Sequence, residues 1–319
     1  MVKKILHIVR PRGFCAGVSR AIDIVNLAID VYGAPIYVLH ELVHNGHVVR
    51  DLVARGAVFI QDVEQVPPRA RLIFSAHGVS PEVRLAAMAR HIHAIDATCP
   101  LVIKVHLEAV KFARKGYSIL LIGDRNHDEV VGTFNEAPEH TKIISTQSDA
   151  NQVVVTDPSR VVYLTQTTLS VYDTAEIIER LRERFPSIQG PDVDDICYAT
   201  QNRQEAVESV ARRVCLVLVV GSKNSSNSNS LVGVAQRAGT RAYLIEDENG
   251  IHPEWVATIE SVAITAGAST PETIVQRVRG RLEGWGFVST EVEALPENVH
   301  FKLPTELTVL PVVRAKLAS

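Results

Sequence analysis

The sequence has no excess of positive charge. Lysine and arginine total 33 against 36 acidic residues, a formal charge of −3 over 319 residues. That leaves no basic field of the kind that binds nucleic acid by releasing counterions, and nucleic acid is excluded as a partner. Long apolar runs are missing too. None approaches the roughly 20 residues that cross a bilayer, so no membrane span is expected. The apolar segment in the opening MVKKILHIVRPRG is too short for a secretory signal, and no small-residue cleavage site follows it. The cytoplasm is the expected compartment. Cysteine is scarce, with four in the chain and none in a C-x-x-C pair. In a reducing compartment such cysteines are metal ligands, catalytic thiols or buried apolar residues rather than disulfides. A G-x-x-x-x-G-K-[ST] loop and a G-x-G-x-x-G turn after a strand are both absent, so nothing supports nucleoside triphosphate or dinucleotide binding.

What is present points to an α/β protein. At 46% hydrophobic content the chain can bury a real core, and its length suits two or three domains. Apolar runs rich in Val and Ile alternate with amphipathic helical patterns: ILHIV, PIYVLHE, RLIFSAHG, SILLIGD, RVVYLTQ, CLVLVVGS, RAYLIED and SVAITAG. Such strands belong to parallel sheets covered on both faces. Ligands then gather in the loops at the carboxyl ends of the strands.

Three of the cysteines share that context. Cys15 in RPRGFCAGVSRAIDIV, Cys99 in HAIDATCPLVIKVHLEAV and Cys197 in VDDICYATQNRQEAVESV each lie between a short strand and a helix start. The unpaired N–H groups and the dipole of a helix N-terminus favour thiolate, the form that binds metal. The fourth, Cys215 in VCLVLVV, reads as a small buried apolar residue. The three recurrences divide the chain into α/β units at residues 1–98, 99–196 and 197–284, with 285–319 as a C-terminal tail. Three small parallel-sheet units with pseudo-threefold symmetry would bring the thiols and the strand-end loops to one central cavity. Three thiolates there suit either zinc with a histidine or an iron-sulfur cluster with one iron left open.

The loops carry polar chemistry. GSKNSSNSNS, Gly221–Ser230, has linker composition but stands between the most apolar strand and a helix, where hydroxyls, amides and helix N–H groups suit an anion. AGAST at Ala266–Thr270 repeats that arrangement. His44, His77 and His127 each follow a strand and are expected to supply positive charge. Glu129 is the carboxylate that shares such a loop with a histidine, and burial would raise its pKa into the range of a proton donor.

Together GFCAGVSRAI, HELVHN, FSAHGVSP, DATCPLV, TQTTLS, CYATQNRQEAV and GSKNSSNSNSL resemble the LytB family, the 4-hydroxy-3-methylbut-2-enyl diphosphate reductases of the methylerythritol phosphate route to isoprenoids, from about Ile5 to HFKLP. The resemblance implies a 4Fe-4S cluster held by Cys15, Cys99 and Cys197 with its fourth iron open. It places His44, His77, His127, Thr167, Ser225, Ser226, Asn227 and Ser269 around the substrate, with Glu129, Thr167 and His127 in catalysis. It implies reductive dehydroxylation to isopentenyl and dimethylallyl diphosphates, with electrons from flavodoxin or ferredoxin. One departure stands out. The family loop commonly reads His-Pro-Glu, whereas this chain has His127-Asp128-Glu129, an added carboxylate where an anion is expected.

Overall fold

The computed structural model describes residues 4–191 and 193–308. Twelve strands are described: β1 (Lys4–Arg10), β2 (Ile36–Leu39), β3 (Ala57–Ile60), β4 (Arg71–Phe74), β5 (His93–Asp96), β6 (Ser118–Ile122), β7 (Thr141–Ile144), β8 (Val161–Thr165), β9 (Leu216–Val220), β10 (Arg241–Ile245), β11 (Ser261–Ala266) and β12 (Phe287–Glu293). They form three sheets of order β3-β2-β4-β5, β7-β6-β8 and β10-β9-β11-β1-β12. Every pairing is parallel. The fold is therefore α/β in three parallel-sheet units, as the alternation of apolar runs and helices suggests.

The apolar runs become strands because they can be covered on both faces. All five residues of β9 are buried, and its odd and even residues feed two different clusters. Leu216, Leu218 and Val220 pack with Leu6, Ile8 and Ile264, whereas Val217 and Val219 pack with Val9 and Ala263. A side-chain period of two lets one strand join both layers.

Sheet membership departs from the expected partition at both ends of the chain. β1 was grouped with residues 1–98, yet it pairs with β11 and β12 in the third sheet. Residues 285–319 were read as a tail, yet β12 closes that sheet beside β1. β12 reads FVSTEVE with mostly exposed side chains, the pattern of an edge strand, so it lacks the apolar density of the inner strands. The short strand expected before Cys197 is not formed among the described residues. Asp195 instead accepts a hydrogen bond from the Thr165 N–H at the end of β8 (2.9 Å). Cys215 is exposed rather than buried, because it lies just before β9 and its N–H bonds to Ser261 at the start of β11. Among the described residues no helix is long and apolar enough to cross a membrane.

Candidate functional site

Each of the three recurrent cysteines is the residue immediately before a helix. Cys15 precedes Ala16–Tyr32, Cys99 precedes Pro100–Arg114 and Cys197 precedes Tyr198–Ala211, all three in extended backbone and none using its sulfur to cap the helix. Their N–H groups are spent in a repeating way. The Cys15 N–H bonds to Ala268 O, that of Cys99 to Ala76 O and that of Cys197 to Thr167 O, at 3.0–3.1 Å. Each thiol is thus hung from the strand-end loop of another part of the fold, beside Ser269, His77 and Thr167 respectively.

Two buried arginines tighten the ring. Arg20, from the Cys15 helix, donates to the carbonyls of Ala97 and Thr98 just before Cys99. Arg203, from the Cys197 helix, donates to the Gly13 carbonyl just before Cys15 and pairs with Glu297. Neither stands out in the sequence, since each looks like an ordinary helix cation. Their buried positions follow from the pairing of units.

One cavity receives all the candidate residues. Cys15, Cys99, Cys197, His44, His77, His127, Glu129, Thr167, Ser225, Ser226, Asn227 and Ser269 line a space of about 670 Å³ that includes its open mouth. Gly17, the second residue of the Cys15 helix, makes room for the sulfurs. A Cβ built there would stand 2.8 Å from Cys99 Sγ and 3.8 Å from Cys15 Sγ. The Cys197 sulfur meets the Thr200 hydroxyl at 3.2 Å.

The helix N-termini do not lower the pKa of Cys99 or Cys197. Burial, and then the charge of Cys15, push Cys99 up to about 12 against the bonds from Leu101 and Val102 N–H. Cys197 is pushed up to about 11 by burial and Cys15, against its bonds with Thr200. Desolvation outweighs the dipole, so these groups ionise in place only beside a cation.

Glu129 is 2% exposed and its carboxylate faces Thr167. The Thr167 N–H donates to one oxygen at 2.6 Å and the Thr167 hydroxyl to the other at 3.0 Å. Burial raises the pKa to about 7 despite those bonds, with Asp195 adding to the rise. The expected proton donor is therefore half-protonated near neutrality.

The three histidines meet in the same cavity. The His44 and His77 rings stack at 4.1 Å, and His127 stands edge-on to both. Nδ1 of His127 accepts the Glu129 N–H (3.2 Å), which leaves its Nε2, buried and without a partner, as the protonated nitrogen of the neutral ring. Two of the three rings lack the expected positive charge. Burial and neighbouring His44 hold His127 down to about 4, and burial with the other two rings holds His77 well below its usual value.

The Ser/Asn stretch is a helix start and not a linker. Ser225 caps the helix Ser226–Arg237, and because its Oγ accepts from both the N–H and the hydroxyl of Ser228, its own proton is free for a ligand. Asn227 is buried; it donates to Thr200 Oγ1 and accepts from the Ala268 N–H, keeping one N–H in reserve. Ser226 and Ser269 give their protons to the carbonyls of Thr168 and His44, so they face a ligand as acceptors here.

The extra carboxylate, Asp128, neither points away from the histidines nor stands alone. Oδ1 lies 3.1 Å from His40 Nδ1, and Oδ2 lies 3.9 Å from His77 Nδ1. His44, His77 and Asp128 have donor atoms all within 4.8 Å of one another, whereas the three thiols form no group that tight.

Known proteins match along nearly the whole chain. The family profile described as LytB protein covers residues 6–283. A 4-hydroxy-3-methylbut-2-enyl diphosphate reductase of Hahella chejuensis is 51% identical over 95% of this chain and 98% of its own. That of Leifsonia xyli is 52% identical over 93% and 89%. Among solved structures, the E-1-hydroxy-2-methyl-but-2-enyl-4-diphosphate reductase of Plasmodium falciparum superposes with a TM-score of 0.95 at 38% identity, covering 99% of both chains. A family profile over most of the chain, with relatives half-identical along nearly its whole length, shows that the chain belongs to the LytB family.

Proposed function

We propose that the chain performs the reaction named for these relatives, reductive dehydroxylation of 4-hydroxy-3-methylbut-2-enyl diphosphate, on a 4Fe-4S cluster held by Cys15, Cys99 and Cys197. The balance is two electrons and two protons in, and one water with isopentenyl or dimethylallyl diphosphate out. The observation that carries the reading is the convergence of three uncapped thiols and the Glu129–Thr167 pair in one cavity.

The residues fit such a cluster. The gap left by Gly17 faces two sulfurs at once, and thiols raised to about 11 and 12 need local positive charge to ionise. When bound, the cluster supplies single electrons and an open iron for the departing oxygen.

The side chains do the rest. Glu129, protonated up to about pH 7, delivers a proton through the Thr167 hydroxyl to the leaving oxygen, which departs as water. His127, His44, His77, Ser225 and Asn227 offer N–H and O–H groups to the diphosphate, and burial of that remote group orients the reacting carbon. Ser226 and Ser269 fix the neighbouring loops. No flavin or nicotinamide motif occurs in the chain, so the electrons come from an external one-electron carrier, flavodoxin or ferredoxin, in the cytoplasm.

The test is anaerobic purification with iron and acid-labile sulfide assays, followed by turnover with a reduced viologen dye. About four irons and four sulfides per chain, with both isopentenyl and dimethylallyl diphosphates formed, are expected. Zinc without sulfide would overturn the reading.

A further inference from the structure

We propose that Asp128 is the counter-ion of His77, a positioning residue that holds the His77 ring and the proton it acquires toward the substrate diphosphate. The inference rests on the reading of His77 as a diphosphate ligand.

A carboxylate at the mouth of an anion site should repel the ligand. The surroundings of Asp128 reverse that expectation. Its Oδ1 is 3.1 Å from His40 Nδ1, and His40 has its pKa raised, chiefly by that hydrogen bond. His40 thus offsets part of the Asp128 charge and holds the carboxylate in place. Oδ2 remains, 3.9 Å from His77 Nδ1, which is buried and has no hydrogen-bond partner.

That unmet nitrogen is the reason the aspartate matters. An imidazole that donates into the cavity through Nε2 and also takes up a second proton needs an acceptor at Nδ1. The groups around it oppose the charge: His44 stacks on the ring and His127 stands at its edge, and burial disfavours the cation. Asp128 is the group there that favours it. Glu41 is engaged elsewhere, with His44 Nδ1 and Asn224, and Asp62 acts on His40. Although burial opposes it, the hydrogen bond from His40 and the nearby histidines hold the Asp128 pKa at about 2, so the counter-charge persists at any working pH.

The geometry also crosses units. His40 follows β2 of the four-stranded sheet, and Asp128 opens the helix Asp128–Phe134 that carries Glu129. The same carboxylate thus fixes the proton donor's helix against the loop that presents the histidines.

The test is steady-state kinetics of the cluster-loaded protein with 4-hydroxy-3-methylbut-2-enyl diphosphate, comparing wild type with Asp128→Asn, Asp128→Pro and His77→Asn, and with Asp128→Asn in the His77→Asn background. Proline is well tolerated at the first position of a helix, so the second variant guards against misfolding. Loss of the counter-charge 3.9 Å from the His77 ring predicts a KM about tenfold higher in both Asp128 variants, with kcat and visible absorbance nearly unchanged. In the His77→Asn background the Asp128 effect should vanish. An unchanged or lower KM in Asp128→Asn would overturn the proposal, as would a full effect without His77. An unchanged KM in His77→Asn alone would instead overturn the assignment of His77 to the diphosphate, and the proposal with it.

Discussion

Gly17→Ala separates the needs of the cluster from those of the fold. The position lies inside the helix Ala16–Tyr32, where replacing glycine by alanine contributes about 0.5–1 kcal/mol of stability. The added methyl would stand 2.8 Å from Cys99 Sγ and 3.4 Å from its Cβ. Non-bonded heavy atoms settle at about 3.5–4.0 Å, so the sulfur must retreat by roughly 0.7–1.2 Å. A free thiol does so by rotating about one bond. A ligated sulfur has no such freedom, because metal–ligand distances tolerate only about ±0.2 Å. The cluster-free variant should therefore melt at or slightly above the wild-type temperature, while the reconstituted variant retains much less iron and sulfide. Thermal unfolding of the cluster-free chains and iron analysis after reconstitution supply the two readings. Full iron content in Gly17→Ala would mean that Cys99 does not present its sulfur to this space, and the three-thiol argument would fail.

Cys15→Ser, Cys99→Ser and Cys197→Ser should each bleach the visible absorbance, whereas Cys215→Ser, at an exposed position, should keep it along with the wild-type melting temperature. Glu129→Gln should keep absorbance and KM but lower kcat by the roughly 10²- to 10⁴-fold of a lost general acid. In wild type, kcat should fall as pH rises through about 7, where Glu129 gives up its proton. The sign for stability is the same: the fold holds a proton that the unfolded chain releases above about 4.5, so the Glu129 contribution is lost between pH 4.5 and 7 and Glu129→Gln weakens less than wild type over that range, as melts at pH 5 and 8 would register. Asn227→Ala removes both a ligand N–H and the link from Thr200 to Ala268. It should raise the dissociation constant for substrate in calorimetry while leaving iron content intact.

The thiols and the polar loops were legible in the sequence because each is a local signal: a cysteine between strand and helix, a histidine after a strand, a Ser/Asn cluster opening a helix. The sheet that owns β1 was not. Its apolar run ILHIV states only that it is buried, and its partners lie at the far end of the chain. β12 escaped notice for the opposite reason, since an exposed edge strand with Ser, Thr and Glu carries little apolar pattern. The charge state of the histidines and the thiol pKa values depend on desolvation, which no spacing of residues reports. The Asp128 departure was visible as a residue, but its pairing with His40 was not, because the two lie far apart in the sequence and on different sheets' loops.

The position of β1 sets a timetable for the molecule. Ile5 stands opposite Ser261, and Lys4 opposite Phe287, so β1 leaves the ribosome long before the partners it pairs with. Cys15 hangs from Ala268 and shares that delay. Because chains emerge N-terminus first, the four-stranded and three-stranded sheets can assemble during synthesis, while the ring of thiols closes only after the C-terminal strands arrive. Loading the metal is then a step that follows translation, and the partly made chain meets the cell with an unclaimed strand edge and a thiol without its neighbours.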